Sequence, residues 1–255
     1  MAKADFTLDA FHRGKFWLNQ PVGKGHRAGM DAMLLGASVP EDFAGVLADL
    51  GAGAGAAGLA AMARCANGRA VLVEASAEMC SFARATLDLG ENKGLKHRAS
   101  VLQADVTLAG TARQAAGLED NSFDYVIMNP PFNAASDRMT PDRLKAEAHV
   151  MGDDMWERWI RTAAAIAKPG AGLALIARPR SLAEILGALA SRFGAVEIKP
   201  IHPRQGEAAI RIVARARHGS RAPITFCPPL LLHQDDQTAF SPETEAISNG
   251  GAELF

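Results

Sequence analysis

The chain has 255 residues, 48% of them apolar, and a formal net charge of −1, which suits one large α/β domain with extensions and excludes a disordered chain. No apolar run approaches the ~18 residues of a membrane span, and the opening MAKADFTLDAFHRGKF lacks the apolar core of a secretory signal. Cys65, Cys80 and Cys227 are scattered and form no CxxC pair, which points to reduced thiols in a cytoplasmic protein with no disulfide framework and no metal site.

In chain order, Arg27–Val39 reads as a short helix laid over a sheet edge. Short apolar runs then alternate with helix-length segments. Val46–Leu50, Ala70–Glu74, Ala99–Leu102, Tyr125–Met128 and Leu173–Ala177 read as buried strands, with Val196–Ile201 and Ala209–Ala216 following. Ala54–Ala66, Ala77–Leu89, Asp154–Ala167 and Ser181–Phe193 read as helices, the third stopped by a turn at Lys168-Pro169-Gly170. Alternation of this kind predicts a mostly parallel sheet covered on both faces. Pro223–His233 is an apolar, proline-bearing segment, and Asp235–Phe255 is expected to fray. The expected division is an N-terminal extension over 1–45, a core over 46–218 and a C-terminal segment with an acidic tail over 219–255.

Charge is uneven along this path. Ile176–Arg221 holds nine Lys/Arg against three acids, whereas Ala222 to Phe255 holds five acids and no Lys or Arg. Arg211, Arg215 and Arg217 recur with period two, so they share one strand face, expected to take part in phosphate binding.

Open α/β sheets bind ligands beyond the carboxyl ends of their strands. The loop after the first core strand runs Asp49-Leu50-Gly51-Ala52-Gly53-Ala54-Gly55-Ala56-Ala57-Gly58. Its glycines let a ligand approach the backbone at a helix start. Gly53, Gly55 and Gly58 spell the dinucleotide fingerprint, while Gly51, Gly53 and Gly55 spell the GxGxG of S-adenosylmethionine sites. Glu74, ending the second strand, is placed to accept from ribose hydroxyls under either reading. Asp105, just past the third, is placed to accept from an adenine amine.

Phe123–Phe132 carries the reaction-specific signal, a buried strand running into Asn129-Pro130-Pro131-Phe132. Two prolines stiffen the loop and leave carbonyls as acceptors. The Asn129 oxygen and the Pro130 carbonyl can each take one hydrogen of a planar –NH2, with Phe132 stacked on the ring. No metal or general base is needed before transfer. Tyr125, the only tyrosine, lies within a strand, which leaves a dehydrogenase no Tyr-x3-Lys relay.

Taken with Phe6–Phe11, Gln20-Pro21, Gly25–Leu35, Ile201–Arg204, Ala208–Arg217 and Pro228-Pro229-Leu230, these motifs resemble the bacterial tRNA1(Val) adenine-N6 methyltransferases over most of the chain. The resemblance implies a class I methyltransferase sheet, Rossmann-like and doubly wound, of seven strands with the last antiparallel. It also implies S-adenosylmethionine as donor and an RNA partner, with a tRNA adenine beside the anticodon as acceptor. It brings Arg27 and Asp31 to the cofactor pocket alongside Asp49, the loop glycines and Asn129, and His202 and Arg204 to the RNA or the pocket rim. His26 stands where the family has tyrosine. Competing readings are a protein glutamine-N5 methyltransferase, another Asn-Pro-Pro-type rRNA or DNA base methyltransferase, an NAD-dependent oxidoreductase and a non-catalytic nucleoside-binding module. No membrane partner is expected, and the sequence does not set an oligomeric state.

Overall fold

The computed structural model describes residues 6–22, 28–131, 154–234 and 238–255. Seven strands form the core sheet: β3 (Val46–Leu50), β4 (Arg69–Glu74), β5 (Ala99–Gln103), β6 (Phe123–Met128), β7 (Ala167–Ala177), β8 (Phe193–His202) and β9 (Arg211–His218). Their spatial order is β8-β9-β7-β6-β3-β4-β5, with β9 antiparallel to both neighbours and the other pairings parallel. This is the expected class I arrangement, and the order reverses at β3, between β6 and β4. Two short strands extend it: β10 (Thr225–Phe226) and β11 (Leu230–Leu231) pair parallel with β8, so the apolar 223–233 segment becomes sheet edge.

Alternate side chains on each strand feed two cores. Leu47, Tyr125, Ile127 and Val213 enter the one that includes α1 (Met30–Ala37) and α2 (Ala56–Arg64). Ala48, Leu50, Val126 and Met128 enter the one beneath α6 (Met155–Ile166) and α7 (Leu182–Leu189). Helices α3 (Ala77–Leu87), α4 (Lys93–Lys96) and α5 (Gly110–Ala115) complete the crossovers. Small residues let α1 and α2 cross closely, since a Cβ on Gly36 would stand 2.7 Å from that of Ala60.

Two sequence expectations are overturned, and one element was not foreseen. In the N-terminal extension, β1 (Phe6–Phe11) and β2 (Phe16–Pro21) form an antiparallel hairpin. Asn92 Oδ1 and Thr86 Oγ1 accept from the Trp17 and Asn19 N–H groups (both 2.9 Å), so side chains cap the β2 edge that another strand would otherwise cover. Lys168-Pro169-Gly170 is not a turn after a helix but the start of β7, where a register shift opposite Phe123 and Tyr125 absorbs the proline. The tail beyond 238 does not fray. Pro242–Ser248 forms α8, capped by Ser241, and Ile247 and Leu254 are fully or nearly fully buried in the α1 core.

Candidate active site

Pairing in register brings three strand ends together. Leu50 faces Val73 on one side and Met128 on the other, so Gly51, Glu74 and Asn129 follow one residue later at the same sheet edge. Adjacent strands are about 4.8 Å apart, which fixes the scale of the crevice.

The glycine loop is built by backbone geometry that side chains disfavour. Gly51, Gly53 and Gly55 have φ of +71°, +56° and +95°. Val73 O accepts from both the Gly51 and Ala52 N–H groups, at 2.9 and 3.0 Å, tying the loop to β4. A Cβ on Gly51 would lie 2.5 Å from the Trp159 ring of α6, whereas one on Gly53 would meet nothing nearer than 3.8 Å. The loop is thus clamped at its first glycine and open at its second. Sequence reasoning missed Trp159. Its signal was the apolar spacing of Trp156, Trp159, Ile160 and Ala163 along α6, which marks a buried face but not what that face touches.

Two carboxylates hold the loop. Glu74 accepts from Gly53 N–H through Oε2 (2.9 Å) and from Ser76 N–H through Oε1 (2.8 Å). Asp49, 2% exposed, accepts from Gly58 N–H at 2.8 Å. Burial pushes the Asp49 carboxyl up to about 7; the Gly58 bond opposes this, and the nearby Glu74 charge adds to it. Asp105 is exposed at the end of β5, and its Oδ1 takes the Thr107 N–H and hydroxyl, each at 2.8 Å. Thr162 of α6 donates to Val106 O at 2.7 Å, which fixes that loop beside the crevice.

Asn129 is half-buried and Pro130 buried. Phe132, Arg27 and His26 lie outside the described residues. Asp31, expected at the cofactor, accepts from Arg211 Nε at 2.9 Å, a bond between residues 180 positions apart that joins α1 to β9. Gln20, 2% exposed, links the hairpin to the start of α1 by accepting from Ala28 N–H at 2.8 Å and donating to Asp9 at 2.8 Å.

The arginine row on β9 is not an open phosphate-binding face. Arg211 pairs with Asp31, Arg215 pairs with Glu197 at 2.8 Å and lies 4.3 Å over the Phe255 ring, and Arg217 donates to Gly170 O. His202 Nδ1 stands 2.6 Å from Glu207 O in the turn after β8. Tyr125 is buried and donates to Ser38 O at 3.2 Å, and burial pushes its hydroxyl pKa up, so it offers no proton relay. Among the described residues no group of three or more His, Cys, Asp or Glu could hold a metal, and no helix is long and apolar enough to cross a membrane.

The model of the methyltransferase small domain matches residues 28–202. A predicted O-methyltransferase, protein Atu636 from Agrobacterium tumefaciens, is 46% identical, with 88% of this chain and 97% of that one covered and a TM-score of 0.77. Two more distant structures share the fold: M. jannaschii TYW2 in complex with AdoMet (13% identity, 86% and 88% covered, TM-score 0.55) and the T. thermophilus 16S rRNA N2 G1207 methyltransferase RsmC in complex with AdoMet and guanosine (20% identity, 83% and 50% covered, TM-score 0.52). Comparison with curated proteins gave no significant match. The matched span and the 46% identity together place the chain in the methyltransferase small-domain family.

Proposed function

We propose that this S-adenosylmethionine-dependent methyltransferase methylates N6 of an adenine in RNA, with a tRNA adenine beside the anticodon as the favoured acceptor. The observation that supports the reading is the register of β3 with β6, in which Leu50 faces Met128, so that Asn129 and Pro130 follow at the same sheet edge as the start of the glycine loop. The loop fits the cofactor: a Cβ on Gly53 would meet only the end of the flexible Met79 side chain, at 3.8 Å, and each Glu74 oxygen that holds a loop N–H keeps a lone pair for a ribose hydroxyl.

When bound, the donor supplies an electrophilic methyl group on a sulfonium. The residues of this chain do the rest by orientation. An adenine amine is a weak nucleophile because its lone pair is delocalised into the ring. Asn129 Oδ1 accepts one N–H and the Pro130 carbonyl the other, which draws the hydrogens out of plane and favours a tetrahedral nitrogen with a localised lone pair. Pro131 has no N–H to compete for those acceptors and stiffens the loop. The surplus proton leaves to solvent after transfer. A hydroxyl acceptor has only one hydrogen to offer and leaves half of this clamp idle, which favours nitrogen over oxygen. The RNA preference also draws on the resemblance at Gly25–Leu35 and Ile201–Arg204.

The test is nucleoside mass spectrometry of tRNA incubated with enzyme and labelled S-adenosylmethionine. Label in N6-methyladenosine is expected. Label only on ribose oxygen, on another base or on a protein amide would overturn the reading.

A further inference from the structure

The described carboxyl edge continues past the acceptor site along β7, β9 and β8, and it does not end in an ordinary polar rim. Arg178 follows β7 directly, Arg180 is exposed one turn on, and Arg204 follows β8. Strand β11 is stitched to the same turn, with Leu232 N–H donating to His202 O (2.9 Å) and His233 N–H to Pro203 O (3.0 Å). His233 bridges to Phe240, and their rings stack with centroids 5.2 Å apart and planes 20° from parallel. Phe240 remains 45% exposed, as does Ile210 at 43% beside Ile201. A buried apolar cluster has no need of that exposure. From the end of β6 to the end of β8 is three strand spacings, about 14 Å, a distance that suits a few nucleotides and not one base.

We infer that this edge is a docking surface for the unpaired strand flanking the acceptor adenine, with Phe240 on its His233 backing as a base-stacking platform and Arg178, Arg180 and Arg204 meeting phosphates. The inference rests on the RNA reading above. It is argued from continuity with the crevice and from charge: Arg178, Arg180 and Arg204 outnumber the described acids beside them, Glu184 and Glu207, and the exposed Glu207 pairs with Arg204 at 3.5 Å, so that a phosphate there competes with a carboxylate, while Asp235, between the two rings in sequence, lies outside the described residues with Asp236. Stacking accepts any base, and the arginines contribute affinity that salt weakens.

Fluorescence anisotropy with a labelled single-stranded pyrimidine oligoribonucleotide tests it, because a probe without adenine cannot report on the acceptor clamp. Phe240→Ala is expected to weaken binding roughly five- to 100-fold, and Phe240→Trp to restore it. Arg178→Glu with Arg204→Glu is expected to flatten the salt dependence by about two phosphate contacts. Arg217→Glu, at the opposite end of the sheet, is expected to bind as wild type. The inference is overturned if Phe240→Ala binds within twofold of wild type, if alanine and tryptophan weaken binding equally, or if inorganic polyphosphate of equal charge competes as well as the oligoribonucleotide. Wild-type protein that methylates tRNA yet ignores these substitutions sinks this inference alone; wild-type protein that methylates no RNA sinks the functional reading and this surface with it.

Discussion

Asp49 and Asp124 sit on neighbouring strands at opposite ends of the sheet, and the fold treats them differently. Asp124, at the amino end of β6, has a 34% exposed side chain that accepts from Val46 N–H and from the Lys168 ammonium at 2.7 Å. Partial burial pushes its pKa up, but these two partners hold it below the ordinary value. Asp49, at the carboxyl end of β3, is buried beneath the glycine loop, accepts from Gly58 N–H, and has its carboxyl pushed up to about 7. The amino end is satisfied and the carboxyl end is left short of positive charge, at the edge where a cationic cofactor belongs. Local shortfalls of this kind collect at functional sites because stability alone would remove them.

The largest effect that would break this contrast is at the crevice. Asn129→Ala should lower the methyl-transfer rate about 10²–10³-fold, the scale of losing one preorganised polar contact to a reacting group. Affinity for S-adenosylhomocysteine by isothermal titration should stay within about twofold. Full activity in the variant refutes the clamp, and a parallel loss of cofactor affinity moves Asn129 from the acceptor to the donor.

Next in size is the stability stored in Asp49. Its folded pKa lies above the unfolded value of 3.8, so its contribution is fully present below pH 3.8 and is lost as pH rises toward 7. The loss amounts to roughly 2–4 kcal/mol. His12 has the opposite sign. It is 2% exposed, neither ring nitrogen has a hydrogen-bond partner among the described residues, and burial with the Lys15 and Arg64 charges lowers its pKa from 6.5 to about 4. Its contribution is intact above pH 6.5 and falls away as pH drops toward 4, by about 2–3 kcal/mol. Between pH 4 and 6.5 the two slopes oppose and largely cancel. Urea unfolding of Asp49→Asn should therefore expose a stability that rises with pH relative to wild type, and His12→Leu one that falls with pH. If both variants track the wild-type profile in parallel, neither group is perturbed as described.

What the sequence reveals divides along similar lines. β3 to β6 were legible within about two residues because short, mostly apolar runs bounded by turn signals have few other folds available. The glycine loop, Glu74 and Asn129 were legible because they lie at fixed offsets from those runs. Trp159 against Gly51 and Arg211 on Asp31 were not, since both contacts join segments far apart in sequence. The hairpin was missed because its turn uses His12 and Arg13 at positive φ, without the Asn-Gly pair that announces such turns. The tail misled through its five acids. Ser241-Pro242-Glu243 was a readable helix start that its composition obscured, and Leu254 anchors the end by burial no local pattern displays.

The smallest effect sharpens the comparison from the amino end. Lys168→Ala removes the ammonium from Asp124, but the pair is 44% and 34% exposed, and solvent screens what the short distance suggests. The expected cost is below about 1 kcal/mol, because Asp124 keeps its Val46 N–H and can turn toward water. Thermal unfolding should shift by only a few degrees, and titration with S-adenosylhomocysteine should match wild type. A loss of cofactor affinity here would mean that the two ends of the sheet are coupled through β3 and β6, and the division between a satisfied end and a poised one would no longer hold.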